Sequence, residues 1–208
     1  MISNWIVTTW RSGSTFLSQF LRSHPASFYF EEPFNYAGRA RLTDPGDERL
    51  LTALSMLSHF LQCDFSYAEK HWPNFPNAFS FTGSHTLQSI CGDGQWKSNS
   101  MCPDPLFLST MCSFYPIQLT KTVRLALNFT RHLLDDSRIK DLRILYLVRD
   151  PRAVIQSRKN RRDFCMAECL DPQFLCQDLI NDYRSYLELT KAFPGKIKYC
   201  DLIKYPCY

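Results

Sequence analysis

The segment Arg11-Ser12-Gly13-Ser14-Thr15 constrains this chain most, because it joins a β-branched apolar run to an apolar helical run. Residues 4–10 predict a strand, with Ile6, Val7, Thr8 and Thr9 all β-branched. Residues 15–23 predict a helix, with Phe16, Leu17, Phe20 and Leu21 on one face and His24-Pro25 as its stop. Gly13 is the only glycine in the first 37 residues, and it sits where the backbone must turn sharply from strand to helix. Such a turn presents backbone N–H groups at a helix N-terminus and binds anions. Ser14 and Thr15 add hydroxyl donors and Arg11 a permanent charge. Taken alone, the same residues also suit an ordinary capped helix start. There is no G-x-x-x-x-G-K-[ST] pattern, so no lysine is placed for a triphosphate.

A second turn answers the first. Residues 142–148 (Leu-Arg-Ile-Leu-Tyr-Leu-Val) are nearly continuously apolar, as in a central parallel strand covered on both faces. Asp150 is placed as an N-cap and Pro151 as the first helical residue. Arg149 therefore falls at the carboxyl end of a strand, where open α/β sheets bind ligands. Ser157 lies about two turns into the helix. An arginine from the strand end and a serine from the helix can hold one phosphate from two directions. Two such turns in one chain predict a ligand with phosphate-like groups at both ends.

With 208 residues and 45% hydrophobic content, the chain is expected to form one globular domain, spanning 1–208. Alternating strand and helix signals predict a three-layer α/β fold around a parallel sheet with P-loop-like phosphate-binding turns. Further helices are expected at 48–61, 123–134 and 172–193, and strands at 116–121 and 197–202. Residues 62–105 lack periodicity and read as an acceptor-facing region. Tyr67, Trp72, Phe75 and Trp96 there serve either core packing or stacking on sugar rings. A net charge of +4 suits anionic small ligands or acidic glycans and does not call for nucleic acid. The basic run Arg158-Lys159-Asn160-Arg161-Arg162 reads either as a ligand rim or as a solvated helix end. No cluster has convincing metal-ligand spacing, so no metal is expected. Nine cysteines favour disulfides, in particular around Cys165, Cys169 and Cys176, with at least one thiol left over. Asn128-Phe129-Thr130 is an N-glycosylation sequon. No transmembrane or signal segment is visible.

On these residues the chain resembles the Golgi carbohydrate sulfotransferases. Arg11-Ser12-Gly13-Ser14-Thr15-Phe16 is similar to that family's 5′-phosphosulfate loop. Leu147-Val148-Arg149-Asp150-Pro151-Arg152-Ala153-Val154 with Ser157-Arg158 is similar to its 3′-phosphate motif. Glu32-Pro33-Phe34, Lys121-Thr122-Val123-Arg124-Leu125 and Lys198-Tyr199-Cys200-Asp201-Leu202 resemble weaker elements, the last with Cys200 in place of an acid. The resemblance implies the sulfuryl donor PAPS (3′-phosphoadenosine 5′-phosphosulfate) as co-substrate. It places Arg11 at the leaving phosphate, Ser12, Gly13, Ser14, Thr15 and Phe16 around the 5′-phosphate, and Arg149 and Ser157 on the 3′-phosphate. It implies a glycan acceptor, at a 6-hydroxyl of N-acetylglucosamine, galactose or N-acetylgalactosamine. It further implies a Golgi-lumenal, type II membrane protein in the full-length form; either the anchor and the final C-terminal elements lie outside this sequence, or the protein departs from the family there.

The acceptor hydroxyl needs a base, and Glu32 is the candidate. The loop after the first helix returns toward Arg11, and the related tyrosylprotein sulfotransferases use a Glu a short way after their loop arginine. Glu31 beside it is expected to raise a carboxyl pKa. Lys121 is the candidate for neutralising sulfuryl oxygens. A tyrosylprotein sulfotransferase, a donor-binding but inactive fragment and, more remotely, a nucleoside kinase are the alternatives.

Overall fold

A computed structural model describes residues 1–34, 41–71, 85–91, 101–161 and 167–201. Among them five strands form one wholly parallel sheet: β1 (Ile2–Val7), β2 (Ser27–Glu31), β3 (Ile117–Thr122), β4 (Leu142–Val148) and β5 (Ile197–Asp201), in the order β2-β3-β1-β4-β5. Parallel neighbours need crossover connections, and helices run in every one. They are α1 (Ser14–Arg22), α2 (Glu48–Phe60), α3 (Ser66–His71), α4 (His85–Cys91), α5 (Pro105–Ser113), α6 (Arg131–Leu134), α7 (Pro151–Lys159) and α8 (Pro172–Ala192).

Strand alternation splits the core in two. Trp5, Val7, Phe28, Phe30, Ile144, Tyr146 and Ile197 face Leu50, Leu54 and Leu57 of α2 and Leu189 of α8. Ile6, Tyr29, Leu119, Leu147 and Cys200 face Leu17 of α1 on the other side. The sheet thus lies between helices, as the sequence predicts. Phe30 meets Phe60 and Phe65 edge-on at 5.6 and 5.8 Å between ring centroids. Each buried phenylalanine contributes roughly 1.5–3 kcal/mol. A disulfide from Cys63 to Cys112 ties the end of α2 to α5, and a second joins Cys91 to Cys102.

Most elements fall where sequence places them; the departures have physical causes. β1 ends at Val7, not at residue 10: Thr8 N still donates to Thr122 O at 3.2 Å, but on the other side Leu147 O faces the Thr8 hydroxyl, whose single proton is shared between Leu147 O and Ser12 Oγ, each 2.6 Å away. Side-chain bonding of this kind competes with the ladder. The expected helix over 123–134 is instead an extended stretch, a 3₁₀ turn (Leu127–Thr130) and the short α6. Leu42 claims the extended stretch through two backbone bonds, Leu42 N to Arg124 O at 2.7 Å and Ala126 N to Leu42 O at 3.0 Å. Among its described residues the region 62–105 carries two helical segments, α3 and α4, that its irregular pattern hid, and α5 begins at its last residue. Tyr67 there stacks between His59 and His71 and packs against the core; Trp72, Phe75 and Trp96 lie outside the described residues. On α8, Leu175 and Leu189 are buried, whereas Phe174, Tyr183 and Leu187 are exposed.

The polar residue Asp182 is buried in α8 instead. Its carboxylate pairs with Arg41 and accepts the Leu127 N–H at 2.8 Å, while Arg41 also reaches Asp178 at 3.4 Å and Leu125 O at 3.2 Å. This clamp fixes the stretch that follows β3. Asp182→Ala is expected to destabilise the chain by about 3 kcal/mol, because it strands a buried guanidinium and a buried N–H. Urea unfolding measures this, and Asp182→Asn, which keeps an acceptor, should recover part of the loss.

Candidate active site

The sheet register dictates where chemistry can occur. β1 pairs with β4, Val7 opposite Tyr146, so the turn after each strand emerges at the same edge, side by side. β1 is also where the chain switches direction along the sheet, since β2 and β3 lie to one side of it and β4 and β5 to the other. Ligands of open α/β sheets bind outside the carboxyl ends of the strands at such a point.

A cavity of about 820 Å³ opens there, lined by Trp10, Arg11, Gly13, Ser14, Thr15, Glu31, Glu32, Lys121, Val123, Arg124, Arg149, Ser157 and Arg161. It gathers eight of the ten residues singled out from sequence. A second cavity, of about 700 Å³, is lined by Asn4, Ile117, Leu119, Leu145 and neighbours toward the amino ends of the strands, and contains none of them.

Both turns are built for an anion. Gly13, with φ of 93°, caps α1 without any side-chain cap bond. The first N–H groups of the helix are therefore left to a ligand or to water. Arg11 also has a left-handed backbone, φ 69°, as does Glu32, φ 52°. Strain of this kind persists only where the surroundings impose it. Across the site, Arg11 Nε donates to Ser157 Oγ at 2.9 Å, and Arg149 Nη1 donates to Arg11 O at 3.2 Å. The two motifs, more than a hundred residues apart in sequence, are thus bonded to one another.

Ser12 and Phe16 stand apart. The Ser12 hydroxyl is buried, accepts from Thr8 and donates to Thr9 O at 2.9 Å, so it fixes the loop from within. The Phe16 side chain is 71% exposed and outside the cavity; what it offers an anion is its backbone N–H in the first turn of α1. In the basic run, Arg158 is largely buried and donates to Trp10 O and Cys169 O, which makes it a structural tie between the first turn and the segment before α8. Among the described residues of that run, Arg161 alone lines the cavity.

Glu32 is 4% exposed. Its N–H donates to Lys121 O at 2.8 Å, and Arg124 Nη1 donates to its Oε2. Lys121 Nζ lies 3.8 Å from Glu32, 3.4 Å from Glu31 and 3.5 Å from Thr15 Oγ1. Burial pushes the Glu32 pKa above the ordinary glutamate value, against the opposing pull of Arg124 and Lys121. The like charge of Glu31, the cause expected from sequence, is a smaller contributor. Glu31 itself accepts the Tyr29 hydroxyl at 2.5 Å.

Arg124 is the residue whose place sequence reasoning missed. Its guanidinium binds Glu32 and lies over the Trp10 ring, 4.7 Å from the centroid. It sat in a segment read as a helix, and only the sheet brings it to Glu32. Among the described residues, no group of three or more His, Cys, Asp or Glu side chains could hold a metal ion, and no helix is long and apolar enough to cross a membrane. Cys169 and Cys200 are disulfide-bonded as well, and Cys176 is an exposed free thiol.

The profile of the sulfotransferase domain family matches residues 3–193, so the chain belongs to that family. It is 32% identical over 199 residues to carbohydrate sulfotransferase 7 of Mus musculus, covering 80% of this chain and 40% of that protein. It is 28% identical over 169 residues to carbohydrate sulfotransferase 5 of Homo sapiens, covering 74% of this chain and 41% of that protein. The chain therefore spans about two fifths of these relatives. Among solved structures, the sulfotransferase domain of the Synechococcus PCC 7002 olefin synthase aligns at a TM-score of 0.46 and 19% identity, over 97% of this chain and 66% of that one.

The Glu32–Arg124 pair can be tested without any ligand. Arg124→Ala should cost about 3 kcal/mol in urea unfolding, because a buried carboxylate loses its partner. Adding Glu32→Gln should return a sizeable share of that loss; simple additivity of the two costs would show the pair to be uncoupled.

Proposed function

We propose that this domain transfers a sulfuryl group from PAPS to a hydroxyl of a carbohydrate acceptor. The observation that carries the reading is the Arg11–Ser157 and Arg149–Arg11 bonding, which makes the two anion-binding turns a single site. A donor with a 5′-phosphosulfate and a 3′-phosphate has the two anionic ends that such a site requires. Gly13, Ser14, Thr15 and the N-terminus of α1 take the 5′-phosphate, with the loop held in shape by Ser12 and continued by the Phe16 amide. Arg149 and Ser157 take the 3′-phosphate. This donor has no γ-phosphate, which accounts for the absence of a triphosphate lysine beside the P-loop-like backbone N–H groups.

The chemistry follows from the charges around the cavity. The donor supplies an activated sulfur. The acceptor hydroxyl oxygen forms the new S–O bond as the bond from sulfur to the 5′-phosphate oxygen breaks. Glu32 takes the hydroxyl proton, and its buried setting makes it a better base than a solvated glutamate. Arg11 neutralises the charge that develops on the leaving phosphate. Lys121, within 3.5 Å of Thr15 Oγ1, stands where it can balance the sulfuryl oxygens. Arg124 holds the Glu32 carboxylate in one orientation. Positioning and electrostatics supply the rate, as in phosphoryl transfer.

The acceptor class we assign is a carbohydrate, supported by the names of the relatives; the finer assignment, a 6-hydroxyl of N-acetylglucosamine, galactose or N-acetylgalactosamine, rests on the resemblance of the Arg-Asp-Pro-Arg-Ala-Val form at Arg149–Val154 alone. The setting we assign is the Golgi lumen; the disulfides support an oxidising compartment.

Transfer of radiolabelled sulfuryl from PAPS to a panel of these sugars, with an acidic tyrosine peptide alongside, tests the reading. Label on sugars is the expected result; label on the peptide alone would move the chain to the tyrosylprotein class. Glu32→Gln should lower turnover at least about 100-fold. Only the carboxylate form can accept a proton. Activity should therefore fall as pH drops through the raised Glu32 pKa, at a higher pH than an ordinary glutamate would give, and this limb should vanish in the variant.

A further inference from the structure

Asn128-Phe129-Thr130 is the only N-x-S/T tripeptide with a non-proline centre in the chain. The function proposed above makes no use of it. Three structural facts bear on it. The Asn128 side chain is exposed, on the 3₁₀ turn Leu127–Thr130 that follows the extended stretch after β3. It is not among the residues lining the 820 Å³ cavity. And the chain is disulfide-bonded at Cys63, Cys112, Cys91, Cys102, Cys169 and Cys200, which points to maturation in an oxidising compartment. In eukaryotes that compartment is where asparagine-linked glycans are added.

We propose that Asn128 carries an N-linked glycan, added before the segment folds. The order follows from the neighbours of the acceptor. Phe129 is 5% exposed and Thr130 fully buried, with the Thr130 hydroxyl donating to Leu127 O at 2.7 Å. A transferase must read the threonine hydroxyl together with the asparagine amide, and the folded turn withholds it. In the unfolded chain the tripeptide is open. The bond formed joins Asn128 Nδ2 to the anomeric carbon of the first sugar of a lipid-linked oligosaccharide diphosphate. The bond broken joins that carbon to the diphosphate, which leaves with its lipid, and the amide proton passes to base. Folding then buries Phe129 and Thr130 beneath a sugar chain that extends from Asn128 into solvent. This inference rests on the disulfides and the turn, and stands whether or not the sulfuryl-transfer reading holds.

The test is expression of the chain behind a cleavable secretion signal in eukaryotic cells. Microsomal and secreted protein are both collected, because transfer precedes folding. Peptide N-glycanase treatment in heavy-oxygen water should convert Asn128 to ¹⁸O-labelled Asp and shift the mobility by one glycan. Asn128→Gln should remove the shift while leaving donor binding unchanged. Disulfide-bonded, unglycosylated chain offered to an oligosaccharyltransferase with its lipid-linked donor should stay unmodified, whereas reduced and unfolded chain should accept one glycan. An unmodified Asn128 in both microsomal and secreted protein would overturn the proposal. Equal modification of folded and unfolded chain would overturn the order of events.

Discussion

The parallel pairing of β1 on both of its edges is the constraint from which the site follows. β1 lies between β3 and β4, so the Arg11 turn, the Arg149 turn and the end of β3 at Lys121 and Thr122 all reach one edge of the sheet. No single turn would make a site for a ligand with two anionic ends. The hydrogen bonds from Arg11 to Ser157 and from Arg149 to Arg11 O are the consequence of that pairing. A slip of one residue in β1 would exchange the faces that Ile6 and Val7 occupy and separate the turns as well.

The charges at that edge are arranged with different tasks. Glu32, buried and in a left-handed conformation, is held between Arg124 and Lys121. Arg124 is in turn seated over Trp10, the residue immediately before the loop arginine. The acid is thus coupled through side chains to the turn that we assign to the leaving phosphate. Farther back, the Arg41–Asp182 clamp holds the stretch after β3 against α8 and keeps Arg124 within reach of Glu32. Buried pairs of this kind add little net stability, but breaking one is costly.

Much of this was legible in the sequence because it is local. A β-branched run, a glycine and two hydroxyls specify the first turn, and an apolar run followed by Asp150-Pro151 specifies the second. The Asp150 side chain does accept the Arg152 N–H, at 2.8 Å, as an N-cap should. What was not legible depends on residues distant in sequence. The stretch 123–134 has helical periodicity, yet Leu42 and Asp182 take its backbone groups. Asp182 lies in a helix as an ordinary polar residue until Arg41 reaches it. Arg158 reads as part of a solvated basic run, but two backbone carbonyls draw it inside. Glu32 was found as an acid near a loop, while its buried setting and its partner Arg124 became apparent only when the sheet was assembled.

The central claim, that the two turns form one donor site, is tested most directly by calorimetric titration of the chain with 3′-phosphoadenosine 5′-phosphate, with AMP as the comparison and Arg149→Ala as the control. One site should be filled, AMP should bind more weakly, and Arg149→Ala should lose about 1.5–3 kcal/mol toward the bisphosphate while AMP is nearly unaffected. Equal affinity for the two nucleotides, or an Arg149→Ala chain that binds the bisphosphate as the native chain does, would contradict the account.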